Sequence, residues 1–273
     1  MLRDITFGQH FPGNSVLHRM DPRLKILVTI GYIVVLFLGT NPLGLGIATT
    51  VVVMAYAIAG IPARMAWRNL RPVLFILLFT GLLNLFFNSA GTLLVHWWIF
   101  TITSGGVYHS ITMMIRIICL ILGTSLLTYT TSPIVLTDAI ERLLSPLSKL
   151  HFPAHELAMM MTIALRMIPT IIEETDKIMN AQKARGAQMD SGPLMQRIKA
   201  LVPILIPLFL SAFRRADELA MAMECRCYHG GEGRTRLRQL KITGLDAALF
   251  LLCLAIFVMI GFSRRITPAP FQV

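Results

Sequence analysis

Acidic residues are absent from a long part of this chain. Asp4 and Asp21 come early, and the next carboxylate is Asp138. None lies between Pro22 and Thr137. Only 14% of the 273 residues are charged, 55% are hydrophobic and the mean hydropathy is +0.67, whereas soluble domains carry about 25% charged residues. Because a charge at the bilayer centre is costly, this composition excludes an ordinary soluble domain and predicts a protein embedded in lipid.

Motifs for nucleotides, metals and catalysis are also missing. The chain has no G-x-x-x-x-G-K-[ST] loop for the phosphates of ATP, so any ATP hydrolysis must come from a partner and no cofactor is expected. Cys225 and Cys227 form a C-x-C pair, but no second pair lies at zinc-like spacing. We therefore predict neither a catalytic residue nor a metal site.

Basic residues exceed acidic ones, 25 against 14, which gives a formal net charge of +11. They are scattered around the apolar runs, a pattern that favours basic flanks orienting a membrane protein and argues against nucleic-acid binding. Lys25 lies at the start of the first run, where its long side chain can snorkel to the interface.

Five apolar runs have about the 20 residues that a bilayer requires. They are Leu24–Leu38, Leu43–Ala59, Pro72–Phe87, Val107–Thr130 and Leu245–Phe262. Between the second and the third, Arg64, Arg68 and Arg71 are expected to form a short basic loop. The predicted fold is an all-α polytopic membrane protein, with about five transmembrane helices plus long amphipathic cytoplasmic helices.

The distribution of charge also predicts the topology. The basic N-terminus is expected in the cytoplasm, and the Lys- and Arg-free turns at Asn41 and around His96 are expected outside. A fifth span would put Arg264 and Arg265 outside, against the same rule. Either the other basic residues determine the orientation despite this pair, or the predicted number of spans is wrong by one. Three domains follow: an N-terminal membrane domain at 1–131, a cytoplasmic domain at 132–243, and a C-terminal transmembrane helix and tail at 244–273.

Two long amphipathic helices are expected in the cytoplasmic domain, from Ala154 to Lys183 and from Leu194 to about Cys227, separated by a break at residues 191–193. Their internal prolines, Pro169, Pro203 and Pro207, should bend them or start new segments.

Each of these helices ends on an arginine that follows an aspartate by nine positions. Asp176 precedes Arg185, Asp217 precedes Arg226, and the two stretches are offset by 41 residues. A cation near a helix C-terminus is favoured by roughly 0.3–1 kcal/mol, which is one explanation for each arginine alone. The repetition favours another, because a planar guanidinium suits bidentate binding to a partner's carboxylates. The chain is therefore predicted to dock something twice.

Three stretches carry a family resemblance. They are Ala184-Arg185-Gly186, the related Cys225-Arg226-Cys227 within ADELAMAMECRCYHGGEGRTRLRQLK, and the opening FGQHFPGNSVLHRMDPRLKIL. They resemble the transmembrane T component (EcfT/CbiQ-like) of energy-coupling factor (ECF) transporters, and the resemblance covers essentially the whole chain.

The resemblance implies a scaffold that joins two cytoplasmic ATP-binding-cassette (ABC) ATPases to an S component, a small membrane protein that binds a vitamin or a metal ion. In this family the long cytoplasmic helices are coupling helices, and their arginines insert into grooves of the two ATPases. The match carries that docking role to Ala184, Arg185, Gly186, Cys225, Arg226 and Cys227. ATPase closing would push the helix ends together, and the S component would topple and release its cargo. The setting implied is a prokaryotic cell membrane.

Methionines supply a candidate S-component face. Met159, Met160 and Met161 form a run, and Ala164 follows about one helical turn later. Flexible, polarizable methionines suit a surface that accepts several partners. Filling of the protein core is the other interpretation.

Two other functions compete with this one. A stand-alone secondary transporter would carry ionisable groups within its spans, and Arg116 is the one candidate well inside a span, without an acidic partner in the first four. A membrane-embedded enzyme would need a cluster of His, Asp and Glu at the lipid boundary, and none is evident.

Overall fold

The computed structural model describes residues 10–39, 41–87, 92–97, 100–146, 153–187, 194–230 and 242–266. Its helices are α1 (Val16–Arg19), α2 (Pro22–Leu38), α3 (Pro42–Ala59), α4 (Ala63–Leu70), α5 (Leu74–Phe87), α6 (Ser104–Thr130), α7 (Pro133–Leu144), α8 (Ala154–Ala184), α9 (Leu194–Glu224) and α10 (Gly244–Ile266). Three stretches used in the sequence-based predictions lie outside the described residues: residues 1–9, the predicted break at 191–193, and residues 231–241 after the second arginine.

The fold is that of an all-α polytopic membrane protein, as the sequence predicted. Within the described residues the one departure is a short antiparallel hairpin of β1 (Leu93–Trp97) and β2 (Phe100–Thr103) before α6. Five described segments are long and apolar enough to cross a membrane: Pro42–Ala59, Ala63–Phe87, Ser104–Thr130, Ala154–Ala184 and Gly244–Ser263.

This set of five differs from the predicted one at a single member. The predicted first run forms α2, which has 17 residues and is shorter than the roughly 20 that a bilayer requires. The set contains α8 instead of α2. From the sequence α8 was assigned to the cytoplasm, but its length and composition are also compatible with a membrane.

The described residues form two compact units. The bundle unit holds residues 10–136 and 242–266, and the hairpin unit holds residues 137–146, 153–187 and 194–230. In the bundle unit a buried core joins α2, α3, α6 and α10 with the segments beside them. Its members are Tyr32, Leu36, Ala48, Val52, Tyr56, Ala59, Ile61, Cys119, Tyr129 and Ile260.

Close contact between α2 and α6 depends on Gly123. The Tyr32 hydroxyl donates to the carbonyl of Cys119 at 3.3 Å, and its ring lies directly over Gly123. A Cβ at Gly123 would stand 2.4 Å from that ring, which is less than any real contact allows. The lack of a side chain at this position therefore sets the distance between the two helices.

α10 runs parallel to α2. At their first residues the N–H of Asp21 donates to the Asp246 carboxylate at 3.3 Å. At the other end Asn41, which follows α2, donates through Nδ2 to the carbonyl of Ser263 at 3.0 Å. The last turn of α10, which includes Arg264 and Arg265, therefore lies at the Asn41 end of the bundle. This placement agrees with α10 as a fifth span.

Lys25 is buried, so the expectation that it snorkels was wrong. It is 6% exposed, and its Nζ donates to the carbonyls of His18 and Thr130 at 3.1 and 3.0 Å and to Thr131 Oγ1 at 3.1 Å. These three acceptors use all three N–H donors of the ammonium. The side chain stays inside the bundle because acceptors from distant segments meet there.

The stretch with Arg64 and Arg68 is helical, so the predicted basic loop was also wrong. Arg64 and Arg68 lie four positions apart on one face of α4, and Arg71, three positions later, begins the short 3₁₀ helix Arg71–Val73 that follows it. The internal prolines were expected to bend the long helices or to start new segments; they start no new segment, because α8 runs through Pro169 and α9 runs through two prolines.

Arg116 is not isolated within its span. Its Nη2 donates to the carbonyl of Gly39 at 3.2 Å, and Gly39 is the residue that ends α2. The last carbonyls of a helix carry partial negative charge and attract a cation. The end of a neighbouring helix thus explains this arginine without a transported ion.

In the hairpin unit, α7 holds the start of α8. Ala139 is fully buried, and Ala154 is 4% exposed. His155 Nδ1 lies 2.9 Å from Glu141 Oε1. Beyond this contact α8 continues for its full 31 residues, and its partner along that length is α9.

Candidate functional site

Arg185 caps the C-terminus of α8 in a Schellman motif. The N–H of Gly186 donates to the carbonyl of Lys183 at 3.0 Å, and the N–H of Ala187 donates to the carbonyl of Gln182 at 3.0 Å. These two bonds define the motif. Gly186 has a φ of 87°, a left-handed value that glycine adopts without a steric penalty. The helix stops here, and Arg185 stands on its last turn; we call residues 182–187 the first arginine end.

Arg226 takes the same position after α9, in the second arginine end at residues 223–228. The N–H of Cys227 donates to the carbonyl of Glu224 at 2.8 Å, and the N–H of Tyr228 donates to that of Met223 at 3.1 Å. Each of these residues lies 41 positions after its counterpart at the first arginine end. The offset of 41 residues found in the sequence therefore also relates the two backbone hydrogen bonds that define the motif at each end.

Cys227 takes the place that Gly186 has at the first arginine end. Its φ is 53°, and it is the one non-glycine residue with a positive φ in the part of the chain that the structure describes. A side chain in this conformation strains the backbone by about 1–2 kcal/mol. The two ends thus share one geometry, and the second reaches it at a higher conformational cost.

Both arginines are exposed. Within the described ranges neither guanidinium takes part in an ion pair. The aspartates that precede them, Asp176 and Asp217, do not reach them, since nine residues of helix span about 14 Å. Each end therefore offers an exposed cation, and Ala184, Gly186, Cys225 and Cys227 form the turns around the two cations.

α8 and α9 pack antiparallel, so the two arginine ends lie at opposite ends of the hairpin. Gln182 Nε2 donates to the carbonyl of Pro203 at 3.2 Å, whereas Ser211 donates to Glu174. Residues earlier in α8 thus pair with residues later in α9, as in an antiparallel arrangement. From the rise of 1.5 Å per residue, the two arginines stand on the order of 30 Å apart.

Glu174 is the polar centre of the contact between these helices. Its Oε1 accepts from Ser211 Oγ, and its Oε2 accepts from Arg215 Nη2. The side chains of Glu174 and Arg215 are 22% and 37% exposed. None of these three residues was predicted from the sequence. A signal was present, however, because Glu174 and Arg215 are also 41 positions apart.

An apolar groove of about 240 Å³ lies beside this cluster, between α8 and α9. Apart from Arg215, its lining is apolar: Ile163, Met167, Ile171, Ala212, Ala216, Leu219, Ala220 and Met223. The predicted methionine face is not part of this lining. On α8 the groove instead uses Ile163, which lies between Met161 and Ala164, and Met167 and Ile171 further along the helix.

The predicted methionine face is only partly accessible. Met160 is 54% exposed and Met161 is 44% exposed, Ala164 is also exposed, and Met159 is half-buried. The antiparallel register puts this run towards the end of the hairpin that carries Arg226. In the described residues no three His, Cys, Asp or Glu side chains form a group that could hold a metal ion.

The fold and the two ends define a polytopic membrane protein whose helical hairpin presents two matched arginines. A family model described as CbiQ, cobalt transport protein, matches residues 13–237. The "Energy-coupling factor transporter transmembrane protein EcfT" of Acidaminococcus fermentans is 52% identical over 269 residues, which are 98% of this chain and 100% of that protein. The protein of the same name from Bacillus subtilis is 42% identical over 264 residues, with coverage of 97% and 100%.

A third relative of that name, from Thermosediminibacter oceani, is 53% identical over 250 residues, with coverage of 92% and 94%. The chain therefore belongs to the CbiQ/EcfT family, the membrane subunits of energy-coupling factor transporters. The family resemblance seen in the sequence is thereby confirmed.

Proposed function

We propose that this chain is the membrane scaffold of an ECF-type ABC importer. Its hairpin unit would couple ATP hydrolysis by two cytoplasmic ABC-type ATPases to an S component, for uptake of vitamins or other micronutrients. The chain is then a non-catalytic subunit without a cofactor of its own, and ATP is used by the partner ATPases. Its place is the cell membrane of a prokaryote, with the N-terminus in the cytoplasm.

The single observation that carries this proposal is the pair of matched arginine ends. Arg185 and Arg226 stand in caps with the same hydrogen bonds, at opposite ends of one hairpin. A guanidinium can form two parallel hydrogen bonds to a carboxylate, and a rigid turn beneath it limits the entropy lost on binding. Two equal cations on the order of 30 Å apart suit two partner subunits better than two patches on one small protein.

The names of the relatives support the same assignment, because an energy-coupling factor transporter transmembrane protein is one subunit of a larger assembly. The S component would contact the methionine face of Met159, Met160, Met161 and Ala164. The exposure of Met160 and Met161 supports this part of the proposal, since flexible side chains adapt to different partners.

Charge reversal at the two ends tests the proposal. The ATPases that copurify with the unaltered chain from its own membranes are identified by mass spectrometry and then coexpressed with each variant. Arg185→Glu and Arg226→Glu should each weaken binding by roughly 2–5 kcal/mol, or at least about 30-fold. The double substitution should abolish copurification.

Arg214→Glu is the matched control, because Arg214 is exposed on α9 but lies 12 positions before Arg226. It carries the same change of charge and should leave ATPase copurification intact. Normal recovery of both ATPases with the Arg185→Glu, Arg226→Glu variant would refute the docking role and, with it, the proposed function.

A further inference from the structure

We propose that Glu174 and Arg215 form the pivot of the α8–α9 hairpin, the point about which the two arginine-tipped helices turn when their partners move. The inference rests on the proposed function, because the helices need partners to move them. It assigns a positioning role to two residues that lie far from either arginine end.

The contact between Glu174 and α9 is directional. Glu174 is held by two donors from α9, the hydroxyl of Ser211 and the guanidinium of Arg215. Glu174 and Arg215 form an ion pair that joins α8 to α9, whereas the pair of Glu141 and His155 joins α7 to α8. Directional bonds to both carboxylate oxygens fix where along their lengths the two helices meet.

The two helix segments from this pair to the arginines, which we call the arms, are equal in length. Glu174 lies 11 positions before Arg185, and Arg215 lies 11 positions before Arg226. With a rise of 1.5 Å per residue, each arm from the pair to its arginine is about 16 Å long. Because the arms are equal, a change in the crossing angle about this pair displaces both arginine ends by the same distance relative to it.

The surface around the pair is largely apolar. Ala212, Ala216 and Ala220 of α9 and Met167 of α8 are among the residues that line the groove. Small and flexible side chains without hydrogen bonds oppose rotation of one helix on the other only weakly. The groove therefore allows a change of crossing angle, while the Glu174 cluster prevents the helices from sliding.

The exposure of the pair allows an experiment to distinguish a mechanical role from a stabilising one. Both side chains are partly exposed, and ion pairs in contact with water contribute little to stability. Loss of the pair should consequently leave the protein folded and its ATPases bound. What should fail is the transmission of movement between the two arms.

The experiment uses the whole complex with its copurifying ATPases. Spin labels are attached through click-reactive amino acids at Asn180 and Met221, which leaves the native cysteines unchanged. These two positions are exposed and each lies five residues before its arginine. The distance between the labels is measured by double electron–electron resonance without nucleotide and with a non-hydrolysable ATP analogue.

In the unaltered complex the analogue should shift the distance between the labels and leave one narrow distribution. Glu174→Gln and, independently, Arg215→Gln should keep ATPase copurification unchanged but lose the shift and broaden the distribution. The exchanged pair, Glu174→Arg with Arg215→Glu, should restore the shift because it restores the attraction. A merely structural role would instead lower the yield of folded protein and the ATPase copurification of the two single variants.

Glu173→Gln with Arg214→Gln is the matched control. These residues precede the pair by one position, are exposed, and are also 41 positions apart. The inference is overturned if the Glu174 or Arg215 variants keep the normal shift, if the unaltered complex shows no shift, or if these variants lose their ATPases. A normal shift in those variants, together with loss of ATPases from the Arg185→Glu, Arg226→Glu variant, would reject the pivot and retain the proposed function.

Discussion

The backbone N–H of Asp21 donates to the carboxylate of Asp246 at 3.3 Å, across 225 positions of the chain. The other oxygen of Asp246 accepts from the N–H and the hydroxyl of Thr243 at 2.9 and 2.6 Å, as in a helix-capping box. One side chain therefore caps α10 and also fixes the start of α2. Asp21 and Asp246 are 4% and 5% exposed, and Lys25 is the buried cation that interacts with both.

Replacement of Lys25 by methionine should destabilise the bundle unit. Lys25→Met keeps the volume of the side chain but leaves the carbonyls of His18 and Thr130 and the hydroxyl of Thr131 without this donor, and a buried polar group left unsatisfied costs about 1–3 kcal/mol. The measurement is the melting temperature of the detergent-solubilised protein, with the yield of folded protein beside it. Lys177→Met, at an exposed lysine of α8, is the control. Equal melting temperatures for the two variants would contradict the importance of the buried hydrogen bonds of Lys25.

A methyl group at Gly123 should separate α2 from α6. Gly123→Ala places its Cβ against the ring of Tyr32, and such overpacking costs about 1–3 kcal/mol. Gly46→Ala is the matched control in a membrane helix, because a Cβ at Gly46 meets nothing within 4 Å. Thermal unfolding should show a lower midpoint for Gly123→Ala and no loss for Gly46→Ala. The reverse order would mean that Tyr32 moves aside at little cost.

A side-chain change at the left-handed residue should weaken the first arginine end but not the second. Gly186→Ala puts a side chain at a φ of 87° and should destabilise the first arginine end by about 1–2 kcal/mol. Cys227→Gly removes a side chain from the equivalent position and should not weaken the second. Hydrogen–deuterium exchange reports on each end separately: exchange should quicken at the end of α8 in the first variant and stay as slow as before at the end of α9 in the second.

Met160 should affect the S component without affecting the ATPases. Met160→Arg places a bulky charge on the predicted methionine face, so S-component copurification should fall while ATPase copurification persists. Met195→Arg serves as the control, since Met195 is also a widely exposed methionine, 64% against 54%, and lies on α9. Loss of both kinds of partner in the Met160 variant would indicate a folding role for this residue.

Local patterns predicted what depends on neighbours in the chain. Apolar runs predicted the helices, because a length of about 20 residues is a property of one segment. The repeat that ends on Arg185 and Arg226 predicted two ends of the same kind, since a helix cap is built from consecutive residues. The same reasoning found α8 and α9 to within a few residues.

Contacts between distant segments could not be predicted in this way. Lys25 was assigned to the membrane interface because nothing near it in the chain indicates the carbonyl of Thr130, 105 positions away. The bond of Asp21 to Asp246 has no signal in either segment alone. Glu174 and Arg215 lie between these cases, because the offset of 41 residues relates them but only the packing of α8 on α9 brings them together.

The two arginine ends share a backbone but differ in chemistry, because only the second carries thiols. Cys225 and Cys227 are both exposed free cysteines, whereas Cys119 is buried and Cys253 is half-buried. A partner seated on the second end would slow alkylation of these two thiols, and a partner on the first end would not. The unmodified protein therefore contains a reporter that distinguishes its two ends in a membrane preparation, without any substitution or label.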